Sequence, residues 1–159
     1  MPLNVTISVV ENENKILLLK RKKGLFSGML GLPGGKIENG ERIKEAAIRE
    51  IEEETKIKSK FDGIHGVILE RLVEKNKVKN EFLIFLSELK PYRIPGPQPN
   101  CVWLDMNDLE SCRDSIIPSD YEMINQIFVN KKPGYYESII IKSRDKYKLQ
   151  SFERINHKE

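Results

Sequence analysis

The sequence predicts an α/β fold in which two helices pack against a mixed sheet. Most of the predicted strands form hairpins with polar turns, and two amphipathic segments have the apolar spacing of helices. Strand pairs come before and after the first helix, and a second helix follows them. This order suits a single-domain α/β/α sandwich, and 159 residues are enough for a substantial core.

Apolar runs bounded by polar turns predict the strands. In chain order the predicted strands are Leu3–Val10, Lys15–Lys20, Phe61–Glu74, Val78–Leu89, Cys101–Leu104, Tyr136–Ile141 and Tyr147–Phe152. Two segments rich in glycine and proline, Arg21–Gly35 and Pro91–Asn100, are predicted to lack regular structure. The first helix is predicted from about Glu41 to Thr55 and the second over Pro118–Val129, with Ser119 as its N-cap.

Residues 133–159 are predicted to form a C-terminal β-hairpin that extends the domain of residues 1–132. Three consecutive isoleucines, residues 139–141, predict a strand buried on both faces. An isolated two-stranded hairpin is marginal in water, so this one is expected to dock. It would complete the substrate pocket, join a second protomer in a homodimer, or cover an exposed sheet edge. The polar end, residues 154–159, is expected to be frayed.

Composition excludes several classes of protein. The 27 Lys and Arg residues exceed the 24 Asp and Glu residues by only three, so no nucleic-acid partner is expected. Cys101 and Cys112 lack the spacing of a metal or redox site and are expected to be ordinary thiols in a reducing cytosol. No apolar run suggests secretion or membrane insertion, so a cytoplasmic protein without a membrane partner is expected.

The segment GKIENGERIKEAAIREIEEETKI, from Gly35 to Ile57, carries the strongest functional signal. Its helix places Glu50, Glu53 and Glu54, hereafter the glutamate triad, on one face, because i, i+3 and i+4 positions are neighbours. Like charges at this spacing repel, and a divalent cation is the obvious compensation. The alternative is an acidic surface helix, in which Arg49 pairs with Glu45.

This segment resembles the signature motif of the Nudix hydrolase superfamily. The matching residues are Gly35, Glu41, Arg49, Glu50, Ile51, Glu53, Glu54 and Ile57. Lys56 departs from the pattern, which has glycine there, and this affects the helix cap rather than the chemistry. The resemblance covers residues 3–129, is closest to members of the MutT and ADP-ribose pyrophosphatase type, and implies the Nudix form of the α/β/α sandwich.

The resemblance implies metal-dependent hydrolysis of a pyrophosphate bond in a nucleoside diphosphate linked to another group, by in-line attack of water. Glu53 and Glu54 are the expected ligands of Mg²⁺, with Mn²⁺ as an alternative ion, and Glu50 is a third ligand or the base. Gly35 would add its carbonyl as a ligand, Arg49 would fix the glutamates, and Glu41 would tie the loop to the helix. Further expected residues are Glu81 as another metal-binding acid, and Arg21, Gly34 and Asp120 as substrate contacts.

The substrate is less defined by the sequence. Residues 116–120 resemble a turn of mammalian-type oxidised-purine triphosphatases, but Ile117 and Ser119 replace the Trp and the first Asp of that turn, so that specificity is not expected. A nucleoside triphosphate or an ADP-ribose-like molecule remains. The alternative function is a catalytically silent Nudix module that senses a nucleotide. Because the glutamate triad is intact, we favour the enzyme.

Overall fold

The structure, a computed structural model, describes residues 1–156 and has a mixed sheet between two helical layers, so the predicted α/β/α sandwich is confirmed. The strands are β1 (Leu3–Asn12), β2 (Lys15–Lys20), β3 (Leu30–Gly31), β4 (Gly34–Lys36), β5 (Ser59–Glu74), β6 (Lys77–Pro91), β7 (Cys101–Asp105), β8 (Gly134–Ser143) and β9 (Lys146–Ile155). The helices are α1 (Ile43–Thr55) and α2 (Pro118–Glu122), and α2 continues as a π-helical segment, Met123–Val129. Short 3₁₀ turns lie at Met106–Asp108 and Arg113–Ser115.

The sheet follows the order β3-β2-β1-β6-β5-β8-β9, with β4 paired to β1 and β7 paired to β2. The pairs β1–β6 and β5–β8 are parallel, and the other pairs are antiparallel. The three predicted hairpins, β1–β2, β5–β6 and β8–β9, are all present. No helix among the described residues is long and apolar enough to cross a membrane.

Alternation along the strands divides the core into two layers. Leu17 on β2 faces helix α1, where it packs in a cluster with Ala47 and Ile51. Its neighbours Ile16 and Leu18 face the other side and join the larger cluster around the second helix. Each helix therefore covers one face of the sheet, which fixes α1 in front of the glycine-rich loop.

The second helix differs from its prediction at the start. Ile117 is the N-cap and Pro118 takes the first helical position, where its fixed φ and missing N–H suit the helix. Ser119 is therefore not the N-cap: it lies inside the first turn, its side chain is buried, and it makes no capping hydrogen bond.

The glycine-rich segment also differs from its prediction, because it contains two short strands. Thr6 and Ile7 on β1 pair with Gly35 and Gly34 on β4, and β3 pairs with β2. A methyl group at Gly34 would overlap the carbonyl oxygen of Thr6. Glycine is thus needed here for close approach of two strands, and the loop is pinned to the sheet.

The C-terminal hairpin is an integral part of the sheet. Strand β8 runs parallel to β5 over nine residue pairs, from Gly66–Gly134 to Glu74–Lys142, and covers the edge of β5. Tyr136 is fully buried in the main core. The predicted burial on both faces is wrong: Ile140 is buried, but Ile139 and Ile141 are only half-buried. Predicted fraying is also wrong for residues 154 and 155, which belong to β9, and residues 157–159 lie outside the described part.

Candidate active site

Helix α1 begins two residues later than predicted, and its first turn is stabilised by its own side chains. The backbone N–H of Arg42, the N-cap, donates to Glu45 Oε1 at 3.0 Å. Glu45 is thus engaged at the helix start, as in a capping box. The helix ends at Lys56, whose φ of 64° is left-handed, so this lysine adopts the conformation usually given to glycine.

Arg49 connects an acidic residue before helix α1 with two acidic residues in its second half. Its Nε and Nη2 donate to the two carboxylate oxygens of Glu41 at 2.6 and 2.9 Å, which is a bidentate pair. Its Nη1 donates to Glu50 at 2.9 Å and to Glu53 at 3.4 Å, and Nη2 also reaches the carbonyl of Lys36. The alternative pairing of Arg49 with Glu45 is therefore wrong.

The charge of this network changes the pKa values of its members. The hydrogen bond from Arg49 lowers the pKa of Glu41 to about 2 and, in return, Glu41 raises the pKa of the guanidinium. Glu41 also accepts from the backbone N–H of Glu38, so it joins the loop to the helix as the sequence suggested. Arg49 offsets part of the repulsion within the glutamate triad, so that repulsion alone does not demand a cation.

The glutamate triad meets the glycine-rich loop at two points. A methyl group at Gly35 would lie 2.5 Å from both carboxylate oxygens of Glu50, so this carboxylate rests directly on the loop backbone. The N–H of Gly34 donates to Glu54 Oε1 at 3.0 Å. Burial raises the pKa of Glu50, although Arg49 opposes the rise. The Glu54 side chain reaches solvent, but partial desolvation of its carboxylate and the charge of Glu50 raise its pKa to about 7.

The donors at this junction fit a hard divalent cation. They are carboxylate oxygens and peptide carbonyls, the ligand types that Mg²⁺ and Mn²⁺ prefer. Within residues 1–156 the acidic, His and Cys side chains do not form a ready-made cluster of three metal ligands. The carboxylates point instead at Arg49 and Gly34. Glu50 and Glu54 each have one hydrogen bond for two oxygens among the described residues, so each keeps an oxygen with which it could bind a cation.

Basic residues form one wall of the cleft beside Glu54. The cleft is lined by Gly34 and Glu54 together with four consecutive basic residues, Lys20, Arg21, Lys22 and Lys23. The Arg21 side chain donates to the carbonyl of Leu25 at 3.0 Å and forms no ion pair with a described carboxylate. Burial raises the pKa of both Glu54 and Asp120, and the charge of Arg21 opposes the rise in each, so Arg21 lies within electrostatic reach of the two acids. Arg21 is thus available for an anionic ligand.

A cavity of about 200 Å³ extends from Gly34 and Gly35 towards the second helix. Asp120 lines it, 5% exposed, and its Oδ2 accepts the N–H of Leu32 at 2.9 Å. Glu70, on β5, lines the same cavity and is 4% exposed. Glu70 was missed in the sequence, although alternation places it on the buried face between Ile68 and Leu72.

Glu81 is not in contact with the glutamate triad. It lies opposite Arg71 of the neighbouring strand, whose Nε is 2.6 Å from Glu81 Oε2. Because successive residues alternate, Glu81 points away from the face of β6 on which Phe82 lines the cavity. Among the described residues, Arg71 is the ion-pair partner of Glu81. Metal binding by Glu81 would require release from Arg71.

Comparisons with known proteins agree with this geometry. The family model of the NUDIX domain matches the sequence over residues 1–127, about four fifths of the chain. The chain therefore belongs to the Nudix family. Its fold resembles that of the MutT protein from Bacillus halodurans, with a TM-score of 0.73, 22% identity, and coverage of 95% of this chain and 96% of that one.

Two sequence relatives match shorter stretches of the chain, and a second solved structure is similar in fold. An ADP-ribose pyrophosphatase of Methanocaldococcus jannaschii is 49% identical over 59 residues, which are 37% of this chain and 35% of that protein. The uncharacterized Nudix hydrolase YvcI of Bacillus subtilis is 28% identical over 111 residues, covering 67% of this chain and 68% of YvcI. The NUDIX domain of Shewanella oneidensis NrtR, complexed with ADP ribose, has a TM-score of 0.65, 16% identity, and coverage of 83% and 90%.

Proposed function

We propose that this protein hydrolyses a pyrophosphate bond in a nucleoside diphosphate linked to another group, using Mg²⁺ or Mn²⁺. The observation that carries the proposal is the meeting of the glutamate triad with the backbone of Gly34 and Gly35. Hard oxygen donors for a cation lie there beside a loop whose glycines would let phosphate oxygens approach the backbone closely. The match of the NUDIX domain and the sequence of the M. jannaschii relative support it.

We assign each residue a role in this reaction. Glu53 and Glu54 would be ligands, the Gly35 carbonyl would be another, and Glu50 would be a ligand or the base for the attacking water. When bound, the cation would supply charge neutralisation of the diphosphate oxygens and a lowered pKa of water. Arg49 would act through the glutamates, as a positioning residue.

The diphosphate itself would lie between the glycine-rich loop and the basic wall. Gly34 would let the backbone approach the phosphate oxygens, and Arg21 would bind them from the other side. Asp120 would contact the substrate within the cavity. The fourth acid, Glu81, would join the metal site only if a substrate or cation draws it away from Arg71.

The substrate class is proposed as ADP-ribose-like or as a nucleoside triphosphate. The named activity of the M. jannaschii relative, ADP-ribose pyrophosphatase, favours the first. A nucleoside triphosphatase NudI of Escherichia coli, 42% identical over 52 residues and matched over 37% of its length, favours the second. Both substrate classes are nucleotides with a pyrophosphate bond, and this is the bond whose hydrolysis the site suits.

Chromatographic separation of the products from a substrate panel tests the proposal, because hydrolysis of the pyrophosphate bond in ADP-ribose yields two phosphomonoesters and no free phosphate. The panel contains ADP-ribose, nucleoside triphosphates, oxidised nucleotides and dinucleoside polyphosphates, each with Mg²⁺, with Mn²⁺ and with excess chelator. We expect turnover of at least one substrate with metal and none with chelator. Nucleotide binding without turnover under every condition would instead indicate a sensing module.

We also propose a homodimer through the outer strand β9, which is the last strand of the sheet and pairs only with β8 among the described strands. An unpaired edge offers a row of free backbone groups to a second chain. Sedimentation at tens of micromolar, roughly tenfold above a micromolar dissociation constant, tests this. A monomer at that concentration would rule the dimer out.

A further inference from the structure

The cleft beside Glu54, hereafter the basic cleft, carries far more positive than negative charge. Its lining includes one carboxylate, that of Glu54, and four cations, Lys20, Arg21, Lys22 and Lys23. All four basic residues are exposed, and none of them forms an ion pair within residues 1–156. Like charges crowded along one cleft repel one another, and an anionic ligand relieves that repulsion. The basic cleft therefore suits an anion.

The backbone that carries these side chains is held by the sheet and by a tight turn. The N–H of Lys20, at the end of β2, donates to the carbonyl of Asn100 at 2.9 Å. The carbonyl of Lys22 accepts the hydroxyl of Ser27 at 3.1 Å, and Gly24 turns the chain between them with a left-handed φ of 76°. The first atoms of the lysine side chains are thus fixed, while their ammonium groups are available to a ligand.

The basic cleft and the cavity that Asp120 lines diverge from one place. Arg21, Leu32 and Gly34 line both of them, whereas Glu54 lines only the basic cleft, which has a volume of about 330 Å³. A substrate whose diphosphate lies at Gly34 can therefore extend its two halves in different directions. The half in the cavity meets mainly apolar side chains, and the half in the basic cleft meets cations.

The basic cleft holds more cations than a diphosphate alone can use. A diphosphate between two sugars carries two negative charges, which one divalent cation would neutralise, and Arg21 offers a further positive charge. We propose that the three lysines of the basic cleft bind an additional phosphate group, which the substrate carries on the side of its diphosphate away from the nucleoside. The proposal rests on the proposed function for the position of the diphosphate. The additional phosphate belongs either to a longer phosphate chain or to a phosphorylated sugar, and both present the same chemistry to the lysines.

Two pairs of ligands that differ by one phosphate test the proposal in excess chelator, where we expect no hydrolysis. ATP against ADP represents the longer chain, and ADP-ribose 1″-phosphate against ADP-ribose represents the phosphorylated sugar. We expect calorimetry to show about tenfold tighter binding of the more phosphorylated member in at least one pair, because ammonium groups form charge-assisted hydrogen bonds with phosphate. The pair that shows the difference identifies the source of the phosphate. Equal affinities within about twofold in both pairs, or no binding at roughly millimolar concentration, would overturn the proposal.

A double variant assigns the preference to the lysines. Lys22→Gln combined with Lys23→Gln removes two charges at exposed positions, so the protein should fold, and the preference should fall to about threefold or less. Lys77→Gln combined with Lys79→Gln makes the same change in net charge at exposed positions outside the basic cleft and should keep the wild-type preference. An equal loss of affinity for both members of a pair would mean that the lysines hold the diphosphate itself, and this would refute the proposal, as would an unchanged preference.

Salt and turnover give two further readouts. Raising the ionic strength from about 0.1 M to about 1 M shortens the Debye length from about 10 Å to about 3 Å, so a preference that depends on exposed lysines should shrink. A preference that does not respond to salt would contradict the role of the lysines. An intact preference for the additional phosphate in a protein that hydrolyses nothing would refute only the proposed function.

Discussion

The carboxylate of Glu50 rests on the backbone of Gly35, with no room between them for a methyl group. Gly35→Ala should therefore displace Glu50, which we propose as a ligand or the base, and lower turnover by at least about tenfold, because misplacement of such a group is costly. Gly96→Ala is the matched control, since nothing lies within 4 Å of a methyl group there. Steady-state kinetics and thermal unfolding of both variants test this. Wild-type turnover in Gly35→Ala would show that Glu50 needs no fixed position.

Removing a charge from the triad should nearly abolish turnover. Glu53→Gln or Glu54→Gln replaces an anionic oxygen that we propose as a cation ligand, so turnover should fall by at least about a hundredfold. Glu52→Gln, an exposed glutamate of the same helix, should leave it unchanged. The measurement is product release at saturating substrate and metal. Undiminished turnover in both Glu53→Gln and Glu54→Gln would contradict the metal site.

Arg49 should support turnover through the several N–H donors of its guanidinium rather than through its charge alone. Arg49→Lys keeps the charge but cannot form the bidentate pair with Glu41 and still reach Glu50. We expect turnover to fall by about tenfold or more and the Mg²⁺ concentration at half-maximal activity to rise. Arg93→Lys, at an exposed site, is the control. An unchanged Mg²⁺ requirement would argue against a positioning role.

The raised pKa of Asp120 should make the free energy of unfolding depend on pH. Its pKa rises from 3.8 in the unfolded chain to about 7 in the fold, so the folded state keeps a proton that the unfolded state loses between these values. Wild type should therefore lose stability relative to Asp120→Asn as pH rises through this window, by up to roughly 1.4 kcal/mol per pH unit. Urea unfolding of both proteins at pH 5 and pH 7, in chelator, measures the difference. A difference that does not grow with pH would mean that Asp120 ionises normally.

Tyr147 should influence substrate binding from the last strand. Its hydroxyl oxygen accepts the backbone N–H of Phe26 at 3.1 Å, and its ring centroid lies 4.4 Å from that of Phe26, which lines the cavity. Tyr147→Phe removes the acceptor only. We expect KM to rise by a few-fold to about tenfold with kcat unchanged. Tyr92→Phe, at a side chain 72% exposed, is the control. A change in kcat alone would place the effect elsewhere.

Local patterns were enough to predict much of this protein. The helix α1 follows from its apolar spacing, and the hairpins follow from apolar runs around polar turns, because both signals lie within a few neighbouring residues. The resemblance of residues 35–57 to the Nudix motif led to the family. Glu50 and Glu54 of the triad contact the glycine-rich loop, and the role of these residues stays a prediction.

Features that depend on distant partners were not predictable in this way. Strand β4 exists because Gly34 and Gly35 pair with β1, almost thirty residues earlier, and glycine density alone indicates only a loop. The network of Arg49 required the position of Glu41 outside the helix. Glu70 belongs to the cavity only because β5 lies between β6 and β8, which no local pattern indicates.

The contact between Phe26 and Tyr147 spans 121 residues, whereas the pairing of Arg49 with Glu41 spans eight. Contacts between distant residues form late, since a long loop must close before they contribute stability. During synthesis the acidic network is available to a nascent chain well before β9 has left the ribosome. The aromatic wall of the cavity, formed by Phe26 and Tyr147, is completed only when β9 arrives.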